Sequence, residues 1–320
     1  MGITRAGYNS AASYKASKIR GNLGKRIKKH WMLYVFLFLP FLYIVVFKYI
    51  PMYGVQIAFR DFNPARGFMA SPWIGLKHFE NFFNSYQFGR LLKNTIGISV
   101  YSIAASFPLP IILAVALNEA RSRIYSKAVQ MLTYAPYFIS TVILCSIVTL
   151  FFSTRTGFIN NVIAAMGMEE INFLGEARFF KSIFVWSGIW RTTGYSAVIY
   201  IAALSGVNQN LYEASKIDGA TTFQKVIHID LPSIMPTAMI ILILSCAGIL
   251  NVGHEKVLLL QNPLNMEASD VISTYVYRMG IKSAQYSYSS AIGLFNSVVS
   301  FALLIIVNKI AKRATDVGLW

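Results

Sequence analysis

Residues 207–233 read VNQNLYEASKIDGATTFQKVIHIDLPS, and two long apolar runs, 182–206 and 234–251, flank them. Asn210 is placed to cap a short helix, with Glu213 three residues on in the position of a capping box. Gly219 supplies the stop, because glycine takes a left-handed cap without steric cost. Thr221 and Gln224 form a second box and open another helix, on which Phe223, Val226 and Ile227 share a face. Pro232 ends that helix before the next apolar run begins. The spacing thus predicts two short amphipathic helices joined by a tight turn. Such an element is stiff, is attached at both ends to apolar segments, and presents an apolar knob ringed by charge.

The apolar runs on either side belong to a wider pattern. The chain has 320 residues, is 55% apolar and only 13% charged, and carries a formal net charge of +16. Its mean hydropathy is +0.52. Soluble domains run at about 25% charged, and a basic nucleic-acid binder lacks long charge-free runs. A bilayer core needs about 20 mainly apolar helical residues, and segments 31–50, 92–117, 128–152, 182–206, 234–251 and 288–309 qualify. Pro40, Pro108, Pro110 and Pro136 interrupt them, which membrane helices tolerate. The expected fold is an all-α integral membrane protein with six transmembrane helices. Its parts are a basic tail (1–30), a first span (31–50), a loop (51–88), a five-helix core (89–309) and a short tail (310–320).

Charge decides the orientation. The N-terminal tail, 118–127, 207–233 and the tail from 309 carry 16 Lys/Arg and 5 acids, whereas 51–88, 153–180 and 252–287 carry 8 of each. The positive-inside rule puts both termini and 207–233 in the cytoplasm. The first thirty residues hold eight Lys/Arg and no acid, as a transit peptide or signal n-region does. A full span follows them, in place of a short apolar region with a cleavage site. Cys145 and Cys246 lie inside apolar runs and read as buried free thiols.

The loop resembles a known family. Glu213-Ala214-Ser215, Gly219, Ile229 and Leu231-Pro232 look like the E-A-A loop of permeases in binding-protein-dependent ABC importers, with Ser215 where alanine is usual. Asp218-Gly219-Ala220 fits the common form too. Met52-Tyr53-Gly54, Ser71-Pro72-Trp73, Phe79-Glu80-Asn81-Phe82, Asp270-Val271-Ile272 and Ala291-Ile292-Gly293-Leu294-Phe295 resemble the branch importing oligosaccharides derived from complex polysaccharides. The similarity covers about residues 31–320. It implies a type I importer permease in the bacterial cytoplasmic membrane, with a second and similar permease, a cytoplasmic ATPase dimer, an extracytoplasmic solute-binding protein and an oligosaccharide as cargo. A similar importer for another solute class is the alternative.

The chain has no G-x-x-x-x-G-K-[ST] loop, so it binds no cofactor itself, and ATP-Mg belongs to the partner ATPase. The resemblance implies that closure of the ATPase pushes the helix around Glu213–Asp218 and rocks the spans. Glu213 would meet the ATPase, the alternative being a helix-cap role alone. Ala214, Ser215 and Ala220 keep the knob small, while Phe223, Ile229 and Leu231 lock the loop to the permease.

Arg191 lies about ten residues, roughly 15 Å, inside its span. An intramembrane cation is a functional candidate by default. It either lines the translocation path, meeting hydroxyls or a uronate carboxylate, or snorkels or pairs structurally. Tyr200, Asn251 and Asn296 are further path candidates. Ser289, Gly293, Asn296 and Ser300 form a small polar stripe that reads as a packing face. Tyr275, Tyr277, Tyr286 and Tyr288 form either an interfacial belt or a contact for sugar or a docking protein. An intramembrane enzyme is disfavoured: H-E-x-x-H and G-x-S-x-G are missing, and His30, His78, His228 and His254 are scattered. An ion-coupled transporter would need ionisable residues in several spans, where Arg191 stands almost alone.

Overall fold

The computed structural model describes residues 28–319, so nearly all of the expected basic tail at 1–30 lies outside the described residues. Among the described residues every regular element is helical, apart from one isolated bridge between Arg60 and Trp73. The chain divides into two compact units after Gln56.

The first unit holds α1, Trp31–Ile44, which runs on into a π-helical turn at Val45–Tyr49. Its sequence WMLYVFLFLPFLYI is apolar on every side, and none of its residues is buried. A helix apolar all round belongs in lipid or deep within protein.

The second unit contains α2 (Phe88–Ser106), α3 (Pro108–Asn118), α4 (Arg123–Tyr134), α5 (Thr141–Phe151), α6 (Ala177–Ser205), α7 (Gln209–Ile217), α8 (Leu231–Ala247), α9 (His254–Leu260) and α10 (Tyr286–Thr315). At its centre lies α6. Ile183, Phe184, Val185 and Ile189 pack with Ile98 of α2 and with Leu144, Cys145 and Val148 of α5. Further along, Ala197, Tyr200 and Leu204 pack with Ala114 of α3 and with Ile234 and Ala238 of α8. In lipid such contacts are held by close packing, since the surroundings are as apolar as leucine. Gly194 shows how close: a Cβ there would collide with the backbone of Thr133 in α4.

The segment 252–287 is bound to α2 by polar contacts. Asn94 Nδ2 donates to the carbonyls of Glu267 (2.7 Å) and Asp270 (3.1 Å), and the Ile272 amide donates to Thr95 Oγ1 (3.0 Å). Asp270 is fully buried and faces Arg278 at 2.7 Å and Arg90 at 3.6 Å.

Four helices among the described residues are long and apolar enough to cross a membrane: Trp31–Phe59, Phe88–Asn118, Thr222–Ala247 and Tyr286–Arg313. They contain or overlap the expected segments 31–50, 92–117, 234–251 and 288–309. The segment 128–152, a fifth span if it crosses as one unit, is not a single helix. It is two helices, Arg123–Phe138 and Thr141–Phe151, bent by 100°. The chain tightens into a 3-10 turn at Ala135–Phe138 around Pro136. Ser140 is then extended at ψ 156°, and its hydroxyl accepts from the Ile143 amide to start α5 in a new direction. Pro108 and Pro110 cause no such break, because they sit in the first turn of α3, where a missing N–H is harmless. The segment 182–206 falls within α6 and its capping residue Gly206; the helix's 29 residues are long enough for a span, but Arg191, Thr192, Thr193 and Ser196 dilute its hydropathy.

Candidate functional site

The loop 207–233 folds as one short helix, a turn, and a second helix continuous with α8. Asn208 caps α7 by accepting from the Asn210 amide at 3.0 Å. The expected Asn210–Glu213 box is therefore corrected: Asn210 lies inside the helix, and Glu213 is left exposed. Asn208, two residues earlier, has the extended backbone that a cap needs, with ψ 122°.

The stop at Gly219 is a Schellman turn. The Ala220 amide donates to Ser215 O at 2.9 Å and the Gly219 amide to Lys216 O at 3.2 Å, with Gly219 at φ +72°. Thr221 and Gln224 then make the expected capping box. Pro232, however, does not end the second helix. The chain passes through a π-helical turn at Val226–Asp230, and Pro232 enters as part of the first turn of α8. A wider turn of this kind accommodates a residue with no N–H to donate.

The exposed face of this loop carries Glu213, Ala214, Asp218, Gly219 and Ala220 beside Ile217, which is 86% exposed. Phe223, expected to lock the loop inward, is instead 72% exposed and adds to that face. Ser215 is half-buried, its hydroxyl donating to Tyr212 O. Ile229 is half-buried, and Leu231 packs on the cluster of Ala114, Tyr200 and Ile234.

What fastens the loop was not legible in the sequence. The Tyr212 hydroxyl donates to Asp230 Oδ1 at 2.6 Å, and Asp230 is fully buried. Burial, followed by that hydrogen bond, pushes the Tyr212 phenol up to about 12. Lys225 pairs with Glu119 just beyond α3 at 2.6 Å, and its ammonium lies 5.7 Å from the Tyr212 ring centroid. α7 is thereby fastened to the root of α8, and the helix entering α8 is fastened to the end of α3.

The other candidates lie along α6. Arg191 lines a cavity of about 440 Å³ between α2, α5, α6 and the start of α9. Its Nη1 donates to Thr141 Oγ1 at 3.1 Å, while its Nε has no partner. Lys256, which the sequence places in a loop, enters the same cavity. Its Nζ donates to Phe184 O and sits 4.5 Å from the Phe184 ring centroid. Ser106 and Thr192 also border a smaller cavity of about 150 Å³ that reaches Tyr200, although Tyr200 itself is 2% exposed. Asn296 Nδ2 donates to Asn251 Oδ1 at 3.1 Å, so these two candidates meet. Asn296 lines a further cavity with Ser289, Gly293 and His254. Tyr275 is buried against Phe82, whereas Tyr286 and Tyr288 border a polar cavity with Asp61 and His78. Cys145 and Cys246 are free thiols.

Known proteins resemble this chain in sequence and fold. Residues 106–316 match the model of the binding-protein-dependent transport system inner membrane component. Protein LplB of Bacillus subtilis is 42% identical over 92% of each chain. The polygalacturonan/rhamnogalacturonan transport system permease protein YteP of the same organism is 39% identical over 97% of this chain and 96% of its own. A chain in the crystal structure of a bacterial ABC transporter involved in the import of the acidic polysaccharide alginate superposes with a TM-score of 0.85 at 40% identity, covering 92% of this chain and 99% of that one. With its all-helical fold and multiple apolar helices, the chain belongs to the family of inner membrane components of binding-protein-dependent transport systems.

Proposed function

We propose that this chain is the permease subunit of an ATP-driven oligosaccharide importer in the bacterial cytoplasmic membrane, and that residues 213–232 couple it to a cytoplasmic ATPase dimer. A second, similar permease completes the pore, and an extracytoplasmic binding protein delivers the sugar. Relatives named for polygalacturonan, rhamnogalacturonan and alginate support a fragment of an acidic polysaccharide as cargo. The chain is a transport subunit and not an enzyme; ATP-Mg binds to the partner ATPase. In this reading α6 is a sixth span, its polar residues sheltered by α2, α3, α5 and α8, and both termini are cytoplasmic.

The observation that carries the coupling role is the build of α7. Its outer face is exposed, with Glu213, Ala214, Ile217 and Ala220 beside the Gly219 turn, and its inner face is bolted through Tyr212–Asp230 to a membrane helix. A push on the outer face therefore moves α8 as a rigid body and not merely the loop. The Lys225–Glu119 pair carries the same displacement to α3.

The test is ATP hydrolysis by the reconstituted complex with its loaded binding protein, across a panel of acidic and neutral oligosaccharides. Glu213→Lys and Gly219→Pro are expected to abolish stimulation by the binding protein while the complex still assembles. Wild-type stimulation in both variants overturns the coupling role. Failure of every oligosaccharide to be imported by the wild-type complex overturns the cargo.

A further inference from the structure

The 440 Å³ cavity beside α6 holds two cations and lies within the range of small-ligand sites, about 300–1,000 Å³. Arg191 comes from the middle of α6 and Lys256 from the first turn of α9. Neither belongs to any of the four ion pairs found among the described residues. Glu255 borders the same space but makes no ion pair with either. Two cations beside a membrane helix with no carboxylate in ion-pair contact are costly unless something neutralises them.

Their donors are held ready. Thr141 fixes one Nη of Arg191 and leaves Nε unpartnered. The carbonyl of Phe184 and its ring hold the Lys256 ammonium, taking one of its three N–H donors. A planar guanidinium beside a point cation suits a carboxylate, which accepts through two oxygens. Around them Ser102, Ser106 and Thr192 offer hydroxyls, the partners that sugar hydroxyls require.

We propose that Arg191 and Lys256 together form a carboxylate-binding site that takes one uronic acid residue of the oligosaccharide as it crosses. The assignment of cargo rests on the import reading above; the site itself does not. Arg191 grips the carboxylate in its plane, and Lys256 neutralises it from the α9 side. The hydroxyls select a sugar acid over a bare anion. A neutral sugar leaves both cations without an ion-pair partner, so the site discriminates by charge inside the permease, after any selection by the binding protein.

The experiment uses the purified permease–ATPase complex in detergent, without binding protein, and measures galacturonate and galactose binding by saturation-transfer NMR. The two probes differ in a carboxylate against a hydroxymethyl group. Galacturonate is expected to bind at least about tenfold more tightly, as one or more charge-assisted hydrogen bonds dictate. Arg191→Gln and Lys256→Gln should each weaken it by roughly tenfold or more on the same grounds. Arg191→Lys, which keeps the charge, should fall between Arg191→Gln and wild type. The variants lie on different helices, so loss of assembly in one leaves the other informative. Absence of galacturonate binding, equal binding of the two sugars, or unchanged binding in either assembled Gln variant overturns the site. Displacement of galacturonate by equimolar acetate or phosphate also overturns it, as a bare anion site. Binding through the pair in a complex that imports no oligosaccharide supports the site and sinks only the import reading.

Discussion

The Tyr212 hydroxyl donates a 2.6 Å hydrogen bond to Oδ1 of Asp230, eighteen residues along the chain and fully buried. The bond ties the short helix that faces the cytoplasm in our reading to the root of α8. The other oxygen of Asp230 has no partner, so this one contact is all that holds the buried carboxylate. Tyr212→Phe removes it and leaves a buried acid unpaired, at a cost of about 1–3 kcal/mol. The expected outcome is a lower unfolding temperature, together with weakened stimulation of ATP hydrolysis while basal hydrolysis persists. Unchanged stimulation would show that α7 moves α8 by some other route.

The phenol also gives a pH signature. Its folded value is raised to about 12 from the ordinary 10. The unfolded chain therefore releases this proton first, and the stability it contributes is complete below pH 10 and lost as the pH climbs from 10 to 12. The difference in tyrosinate absorbance between wild type and Tyr212→Phe should rise near pH 12. A midpoint near 10 would refute the buried donor.

Lys225 and Glu119 lie 2.6 Å apart, with side chains 22% and 15% exposed. Partial burial gives this pair more weight than a surface pair, and a double-mutant cycle should return a coupling of about 1 kcal/mol. Reversing one charge is expected to reduce coupled ATP hydrolysis. Reversing both, Lys225→Glu with Glu119→Lys, is expected to restore much of it. A swap no better than either single reversal would remove the pair from the pathway.

Two glycines predict opposite results. A Cβ at Gly194 meets the backbone of Thr133, which has no flexible end to move aside, whereas at Gly293 it meets nothing within 4 Å. Gly194→Ala should cost about 1–3 kcal/mol by overpacking. Gly293→Ala should stay within about 0.5 kcal/mol. Comparable unfolding temperatures for the two variants would contradict the close approach of α4 to α6.

Asp270 lies between Arg278 and Arg90 with no exposed side-chain surface. Asp270→Asn leaves two partly exposed cations facing a neutral group, and losing these charge-assisted contacts costs about 1–3 kcal/mol. The protein should then accumulate poorly in the membrane. Adding Arg278→Met to that variant should recover part of the loss, measured as folded protein after detergent extraction.

Hydropathy made most of the fold legible, because a run such as 288–309 has one reading wherever it sits. It failed where backbone geometry decides. Pro136 and Pro108 look alike in sequence, yet one precedes a 100° bend and the other lies in a nearly continuous run. In the loop, Gly219 and the Thr221–Gln224 box were readable because their chemistry is local. Asn208 and Asn210 are equally good caps by type, and only the chain's path into α7 chooses between them. Lys256 was invisible as a site residue for a different reason. Counted in a loop, it returns to α6 only because the segment from Gly253 to Leu260 folds back against Phe184.

The burial of α6 among the other helices bears on how the protein is made. A helix that needs Arg191, Thr192 and Thr193 on its sides is a poor customer for lipid; arginine at mid-membrane alone disfavours insertion by about 2.5–3.5 kcal/mol. Its principal neighbours α2, α3 and α5 are synthesised before it, whereas α8 comes after. In our reading of α6 as a span, it therefore enters the bilayer against a protein template already in place. A chain lacking that template would leave α6, and the cavity it builds, stranded at the translocon.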